Sequence, residues 1–235
     1  MARLKVGVLI SGRGSNLQAL VAAAAEPAYP ADIAVVISNR ADAPGLAYAA
    51  ATGVPHHAIA HPTREAFATQ ADGVLRETGV ELVALAGFMR LLDDGFVDAW
   101  RDRLINIHPS LLPAFPGLHP QRQALAAGVR FSGCTVHFVR REVDTGPIIA
   151  QAVVPVHGGD DETTLASRIL VAEHRLYPMA VRLFAAGRVR IVGNAVAVTG
   201  AVAPEDVLLN PSDALASAVG SAISRGERSN RRGGE

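Results

Sequence analysis

The 235-residue chain contains a single cysteine, Cys134, and few aromatic residues. One cysteine excludes an internal disulfide and any metal cluster that needs several thiolates. Aromatic side chains make up 5% of the residues while 49% are apolar, so we expect a core built from Ala, Val, Leu and Ile. This length fits one large α/β domain or at most two small ones.

The chain also lacks a net charge and a long apolar run. Its 22 basic side chains balance 22 acidic ones, so no overall field favours nucleic acid or an anionic membrane. The first apolar stretch, residues 6–10, is too short for a signal-peptide core, and no run approaches the roughly 18 residues of a membrane-spanning helix. We therefore expect a soluble, cytoplasmic protein without a nucleic-acid or membrane partner.

Short apolar runs alternate with helical stretches through the first half of the chain. The pattern predicts strands at residues 4–10, 33–38, 57–59, 82–86 and 104–107, and helices at 15–25, 44–52 and 64–77. Such alternation is typical of an α/β fold with a Rossmann-like, doubly wound and mostly parallel sheet. A sheet of this kind binds its ligands at the carboxyl ends of the strands.

The pattern changes after residue 130. Residues 131–139 and 148–156 predict a C-terminal antiparallel extension of the sheet, 163–186 a long helix that Pro178 bends or breaks, and 189–199 a hairpin. We expect a single domain over residues 1–200, with a phosphate-binding half at about 1–100 and a catalytic half at about 101–200. Residues 201–223 form a C-terminal extension, and the Arg-, Gly- and Ser-rich residues 224–235 a disordered tail.

A glycine-rich loop follows the first predicted strand and leads into a helix. It contains Gly14, Ser15 and Asn16, and glycines at a helix N-terminus let backbone amides approach an anion. Leu17 stands where the dinucleotide fingerprint requires a third glycine, and a Gly-Lys-Ser/Thr sequence is absent. A tight turn capped by Ser15 or Asn16 is the alternative interpretation, but the density of Gly, Ser and Asn favours the binding of a single phosphate.

Polar residues interrupt the apolar strand at residues 104–107. Asn106 and His108 alternate there, so their side chains share one face of the sheet, and Pro109 ends the strand. A polar side chain within an apolar strand needs a partner, so this strand end predicts the rim of a pocket. His137 lies on an alternating strand that can flank the same pocket. Asp144 lies in a loop with Gly-Pro, where an aspartate on its own is usually a turn residue.

Two of these stretches carry a family resemblance. Residues 106–113, Asn-Ile-His-Pro-Ser-Leu-Leu-Pro, and 144–147, Asp-Thr-Gly-Pro, resemble the formyltransferase family that uses 10-formyltetrahydrofolate. Residues 14–18, 87–90 and 116–119 resemble the purine-biosynthesis branch of that family, and the resemblance extends over residues 4–200 or so. Many family members have glycine in place of Thr145, and many bacterial members have histidine in place of Gln121. These two departures affect the expected conformation of the loops and not the expected class of enzyme.

The resemblance implies transfer of the formyl group of 10-formyltetrahydrofolate, a cosubstrate, to the amine of glycinamide ribonucleotide. It implies small-molecule substrates, no metal, and a monomer or weak homodimer. It assigns catalysis to Asn106, His108 and Asp144. It assigns the ribotide phosphate and amine to Gly14, Ser15, Asn16, Gly87, Met89 and Glu173. It assigns folate binding to Arg64, Met89, Arg90, Leu91, Leu92, Asn106, Arg140, Arg141, Glu142, Val143 and Asp144.

The chemistry of this transfer suits the three catalytic residue types. Attack of an amine on a formyl carbon develops an oxyanion, which needs preorganised donors such as the Asn106 amide and the His108 ring. The attacking nitrogen loses a proton and the departing folate nitrogen gains one, and a carboxylate such as Asp144 can relay it. Without the resemblance, Glu173 would be interpreted as a solvated residue of the long helix.

Four alternatives remain open. A formyltetrahydrofolate hydrolase would normally add an N-terminal regulatory domain, whereas the first strand here begins at residue 4. A methionyl-tRNA formyltransferase would normally add a C-terminal domain, but we expect nothing folded after about residue 220 and the chain is not basic. Transfer to a nucleotide-sugar amine is disfavoured by residues 14–16. A folate- or nucleotide-binding regulatory module without turnover is disfavoured by the intact set Asn106, His108 and Asp144.

Overall fold

The computed structural model describes residues 2–203, 205 and 207–211. The chain separates into two compact units, Met1–Ala201 and Val202–Glu235, and the helices and strands of the described residues lie in the first. The predicted tail at 224–235 and most of the predicted extension at 201–223 lie outside the described residues.

The strands of the first unit are β1 (Leu4–Ile10), β2 (Ala31–Ser38), β3 (His56–Ala58), β4 (Leu82–Leu85), β5 (Leu104–His108), β6 (Phe131–Phe138), β7 (Ile148–Pro155), β8 (Val189–Val192) and β9 (Ala195–Val198). Its helices are α1 (Ser15–Ala24), α2 (Pro44–Ala51), α3 (Arg64–Glu77), α4 (Asp94–Ala99), α5 (Pro120–Ala126) and α6 (Glu162–Ala185).

The main sheet is mostly parallel, with an antiparallel edge. Its strand order is β3-β2-β1-β4-β5-β6-β7, and the pairs from β3 to β5 are parallel. β6 runs antiparallel to β5 and β7 antiparallel to β6, while β8 and β9 form a separate hairpin. The predicted α/β fold is therefore confirmed. Strand order reverses direction between β1 and β4, and a crevice opens at the strand ends beside such a switch point.

Both faces of the sheet are covered, which explains why β1 is apolar from Val6 to Ile10. Val6, Val8 and Ile10 belong to the core cluster that includes residues of α1 and α6. Leu9 belongs to the cluster on the other face, with residues of α3 and α4. A Cβ atom at Gly7 would lie 2.4 Å from Leu75 Cδ2, so the absence of a side chain lets α3 pack closely on this strand.

α6 continues through Pro178, so of the bend or break predicted at that residue, the break is wrong. Proline forfeits one intrahelical hydrogen bond, but the helix is held by burial on both sides of it. The Tyr29 hydroxyl donates to the Pro178 carbonyl at 2.8 Å. The Tyr177 hydroxyl donates to the Leu85 carbonyl at 2.9 Å and lies 3.3 Å from the Ile105 carbonyl. α6 is thereby fixed against the end of β4 and the start of β5.

The sequence did not indicate α4 and α5. They have 6 and 7 residues, which is too short for a periodic pattern to be recognised. α4 begins where the Asp93 side chain accepts hydrogen bonds from the amides of Gly95 and Phe96, and α5 begins at Pro120. Among the described residues, no helix combines the length and apolar character needed to cross a membrane.

Candidate active site

Ser11 joins three strand ends at the crevice. Its amide donates to the Gly87 carbonyl at 3.2 Å. Its hydroxyl donates to Asn39 Oδ1 at 2.7 Å and accepts from the Met89 amide at 2.8 Å. These bonds hold Gly87 and Met89, two predicted ribotide contacts, beside the glycine loop. The sequence signal for Ser11 is a hydroxyl at the end of an apolar strand, which by itself does not identify its partners.

Gly14 shapes the loop between β1 and α1. It is the N-cap of α1 in the left-handed conformation, with φ 71°, and a Cβ atom there would lie 3.2 Å from Gly45 Cα. The alternative in which Ser15 or Asn16 caps the helix is therefore wrong. Because Gly14 has no side chain, the amides of the first turn of α1 are left without a side-chain cap. Those amides and the helix dipole suit an anion.

Asn16 and Glu173 form a buried pair that links this loop to α6. Asn16 Nδ2 donates to Glu173 Oε2 at 2.7 Å, and both residues are more than nine-tenths buried. Burial raises the pKa of Glu173 to about 7, which the Asn16 bond only partly offsets. Glu173 is thus not the solvated helix residue that the sequence alone favours. Since the Asn16 amide group already donates to Glu173, a phosphate at this loop would bind mainly through backbone amides.

The structure brings His108 and Asp144 together at the end of β5. Asp144 Oδ2 lies 3.3 Å from His108 Nδ1 and accepts a hydrogen bond from the Gly117 amide at 2.8 Å. His108 Nε2 lies 3.0 Å from the Phe115 carbonyl oxygen. Each ring nitrogen of His108 therefore faces an oxygen acceptor. The Gly117 and Phe115 contacts use backbone groups of the proline-rich loop, so no side-chain pattern indicated them.

Burial and hydrogen bonding act oppositely on this pair. The pKa of His108 is lowered, because burial penalises the imidazolium more than the Phe115 carbonyl and Asp144 stabilise it. Burial by itself would raise the pKa of Asp144, but the nearby His137 ring, the hydrogen bond from the Gly117 amide and the proximity of His108 outweigh it and lower the pKa. At neutral pH, Asp144 is therefore a carboxylate beside a histidine that releases its proton readily.

Asn106 lies in the same cluster through His137. Asn106 Nδ2 is 3.3 Å from His137 Nε2, and that nitrogen is 3.6 Å from Asp144 Oδ1. His137 Nδ1 is 2.9 Å from the Phe138 carbonyl oxygen. His137 therefore connects Asn106 to Asp144, and Asp144 in turn contacts His108, so the three residues assigned to catalysis by the resemblance lie in one cluster. The sequence placed His137 only on a flanking strand.

Gly146 determines the conformation of the loop that carries Asp144. Asp144 itself has φ 57°, and a Cβ atom at Gly146 would lie 1.7 Å from the Phe138 carbonyl oxygen. Thr145 is exposed, and its hydroxyl donates to the Glu142 carbonyl at 3.0 Å. Glycine is thus required at position 146 rather than 145, which explains why Thr145 is tolerated. Gln121, the other departure, lies in the first turn of α5.

A cleft of about 190 Å³ adjoins this cluster, between the loops that follow β4 and β6. Nine of the residues predicted to contact folate line it: Arg64, Arg90, Leu91, Leu92, Asn106, Arg140, Arg141, Val143 and Asp144. The other lining residues are Leu85, Phe88, Asp94, Val97, His137 and Val139. Met89 and Glu142 do not line it, and the Met89 side chain is 74% exposed. The apolar walls suit a flat heterocycle.

The arginines around this cleft differ in how they are engaged. Arg90 donates to the carbonyls of residues 61 and 62, and Arg140 donates to Asp102 at 2.6 Å. Arg141 pairs with Asp98. The Arg64 guanidinium forms neither a hydrogen bond nor an ion pair within the described part of the chain, so its charge is available to a ligand.

Taken with the doubly wound sheet, a site of this kind defines an α/β transferase. The chain belongs to the formyl transferase family, because the sequence profile of that family matches residues 4–181. Phosphoribosylglycinamide formyltransferase of Escherichia coli (strain K12) is 43% identical to it over 200 residues, which is 84% of this chain and 94% of that protein.

Two further relatives are more similar in sequence. The trifunctional purine biosynthetic protein adenosine-3 of Drosophila pseudoobscura pseudoobscura is 54% identical over 195 residues, 81% of this chain, but the chain spans only 14% of that protein's length. The crystal structure of glycinamide ribonucleotide transformylase 1 from Symbiobacterium toebii has a TM-score of 0.80 and 53% identity, covering 83% of this chain and 94% of that one.

Within residues 2–203, 205 and 207–211, no three His, Cys, Asp or Glu side chains are grouped in a way that would hold a metal ion. Cys134 is buried, and burial raises the pKa of its thiol to about 12.

The loop geometry makes Gly146→Ala destabilising. The new methyl group would overlap the Phe138 carbonyl oxygen, so the loop must move at a cost of about 1–3 kcal/mol. Urea denaturation measures the change. Thr145→Ala is the matched control, because it alters an exposed side chain and should stay within about 0.5 kcal/mol. A Gly146→Ala protein as stable as the control would contradict the packing argument.

The Asn16–Glu173 pair makes stability depend on pH. The pKa of Glu173 is about 7 in the folded protein and 4.5 ordinarily, so the folded state binds more protons in this window. The wild type should lose stability relative to Glu173→Gln as pH rises from 4.5 to 7, by about 3 kcal/mol in total. Denaturation of both proteins across pH 4–8 tests this. A stability difference that does not change with pH would refute the raised pKa.

Proposed function

We propose that the protein transfers the formyl group of 10-formyltetrahydrofolate to the amine of glycinamide ribonucleotide, giving formylglycinamide ribonucleotide and tetrahydrofolate in purine biosynthesis. The convergence of Asn106, His108 and Asp144 beside a cleft with apolar walls and an arginine that is unpaired among the described residues is the observation that carries this proposal. It is supported by similarity to phosphoribosylglycinamide formyltransferase of Escherichia coli over 84% of the chain.

In the proposed reaction the amine nitrogen bonds to the formyl carbon, and the bond from that carbon to the folate nitrogen breaks. Asn106 donates a hydrogen bond to the oxyanion that forms between these steps, and His108 donates a second one after its Nε2–H turns from the Phe115 carbonyl to the oxyanion. Asp144, ionised at neutral pH, takes the proton that leaves the amine, directly or through water, and the folate nitrogen gains one. The Gly117 amide and the Asp144–His108 contact hold the carboxylate and ring in place for this.

The ribotide half of the site is formed by Gly14, Ser15 and Asn16, with Gly87, Met89 and Glu173. Backbone amides at the start of α1 bind the phosphate. Glu173 is held by Asn16 Nδ2 through Oε2, which leaves Oε1 to accept from a ribose hydroxyl or the amine. The short chain of contacts from residue 14 to residue 173 thus connects phosphate binding to orientation of the nucleophile.

The folate half is the cleft between the loops after β4 and β6. The pterin ring packs against its apolar walls and is held by backbone groups of residues 140–144. Arg64, whose charge no described side chain neutralises, binds a carboxylate of the folate tail. Arg90, Arg140 and Arg141 shape the rim through their bonds within the chain.

We further propose that residues 1–200 act as one formyltransferase domain, with the phosphate half at about 1–100 and the folate half at about 101–200. The protein acts on small molecules in the cytoplasm, as a monomer or weak homodimer. The part of this proposal that concerns a single domain is supported by the compact unit Met1–Ala201.

The direct test mixes protein, 10-formyltetrahydrofolate and glycinamide ribonucleotide and follows the folate absorbance. Formyl transfer that requires the ribotide is the expected result. Release of formate without the ribotide would instead indicate a hydrolase, and transfer only to another amine would indicate a different acceptor. Binding of both ligands with no reaction of any acceptor would indicate a regulatory module.

His108→Ala and Asp144→Asn should lower kcat by about 10²–10⁴-fold, because each removes a group that stabilises charge or moves a proton in the transition state. Ribotide affinity, measured by calorimetry, should change little. His57→Ala, an exposed histidine on β3, is the control and should retain full activity. Wild-type rates in either site variant would refute the assigned roles.

Gly14→Ala should raise the KM for the ribotide at least about tenfold while leaving the KM for the folate within about twofold. The methyl group strains a left-handed residue and presses on Gly45, which displaces the amides that bind phosphate. Gly53→Ala introduces similar strain at φ 73° in a position with open space, and it should change neither constant. Equal effects of Gly14→Ala on both substrates would argue against a phosphate site here.

A further inference from the structure

His137 is a buried histidine that contacts two of the proposed catalytic residues. The residue is 2% exposed, so its ring is shielded from solvent although it borders the cleft. Antiparallel pairing of β5 and β6 places it directly opposite Asn106, with both side chains on one face of the sheet. The pairing of β6 with β7 shifts register between Val136 and His137, and a bulge of this kind re-aims a side chain.

The contacts of the ring determine which nitrogen carries the proton. His137 Nδ1 lies 2.9 Å from the Phe138 carbonyl oxygen, which only accepts, so Nδ1 donates there. In the neutral ring Nε2 is then an acceptor. Asn106 Nδ2, 3.3 Å away, is a donor, so the pair is complementary only in this tautomer.

The same contact fixes the orientation of the Asn106 amide. If the amide were rotated by half a turn, its carbonyl oxygen would face the lone pair of His137 Nε2, and two acceptors would meet in a buried place. One hydrogen of Asn106 Nδ2 is therefore held by His137, and the second is left for the formyl oxygen. Asn106 Oδ1 is left on the opposite side, where it can accept from the attacking amine.

We infer that His137 is a positioning residue, which as the neutral Nδ1–H tautomer holds the Asn106 amide with an N–H toward the developing oxyanion. The inference rests on the proposed function for its kinetic part, and on the resting protein for its structural part. The alternative is an imidazolium that donates from Nε2 to Asp144 Oδ1. The distance between those two atoms is 3.6 Å, longer than the 3.3 Å from Nε2 to Asn106 Nδ2, and the Nε2–H would then face an N–H of Asn106.

Two amide substitutions separate the contacts of the ring. Glutamine at position 137 places an acceptor near the location of Nε2, whereas asparagine reaches only the location of Nδ1. His137→Gln should keep kcat within about fivefold of wild type, while His137→Asn should lower kcat by about 10–10²-fold with both KM values within about threefold. Val136→Ala, a buried change on the other face of β6, controls for loss of stability and should retain the wild-type kcat.

A double-mutant cycle with Asn106→Ala tests whether His137 acts through that residue. In the Asn106→Ala background, His137→Asn should lower kcat by less than about threefold further. If the effects of His137→Asn and Asn106→Ala on kcat were fully additive, or if His137→Gln and His137→Asn lowered kcat equally, the positioning role would be overturned.

Nitrogen NMR of the resting wild-type protein provides a test that needs no turnover. In protein with ¹⁵N-labelled histidine, the signals of His137 are those that disappear in the His137→Gln variant. They should show Nδ1 protonated and Nε2 unprotonated. A protonated Nε2 at neutral pH would overturn the inference. If the wild type fails to formylate glycinamide ribonucleotide, the proposed function fails, but the tautomer measurement still decides the structural claim.

Discussion

Antiparallel pairing of β5 with β6 is the constraint on which the candidate site depends. It places Asn106 opposite His137 and His108 opposite Thr135, so each polar residue of β5 has a polar neighbour across the strands. The Thr135 hydroxyl donates to the Ser110 carbonyl at 2.7 Å and accepts from the Leu112 amide at 3.0 Å, which pins the loop after His108. Buried polar groups are tolerated here because most of them are paired.

The site also depends on the switch in strand order between β1 and β4. Ser11 holds the two strand ends together there, and the pair Asn16–Glu173 connects the glycine loop to α6. Tyr177, one turn further along α6, contacts the carbonyl of Leu85 at the end of β4 and that of Ile105 near the start of β5. One helix thus connects the glycine loop to the two strands that lead into the site, and a rigid link of this kind keeps the proposed substrates in register.

Many features of the fold follow from local sequence. The strand at Leu4–Ile10 and the helix at Arg64–Glu77 were predicted with the bounds they have in the structure. The apolar run of the strand and the helical pattern of residues 64–77 identify them, because both signals act through neighbouring residues. The continuity of α6 through Pro178 could not be predicted, because the burial that holds the helix together comes from residues far away in the chain.

The sequence by itself determined that the protein is α/β, that a glycine loop follows the first strand, and that Asn106 and His108 share one face. Those features depend on periodicity and on turn chemistry between near neighbours. Only the tertiary structure decided that Asp144 contacts His108, that Asn16 is bound to Glu173 and that His137 faces Asn106. These pairs join residues 31 to 157 positions apart, so strand order and register must bring them together before any hydrogen bond can form.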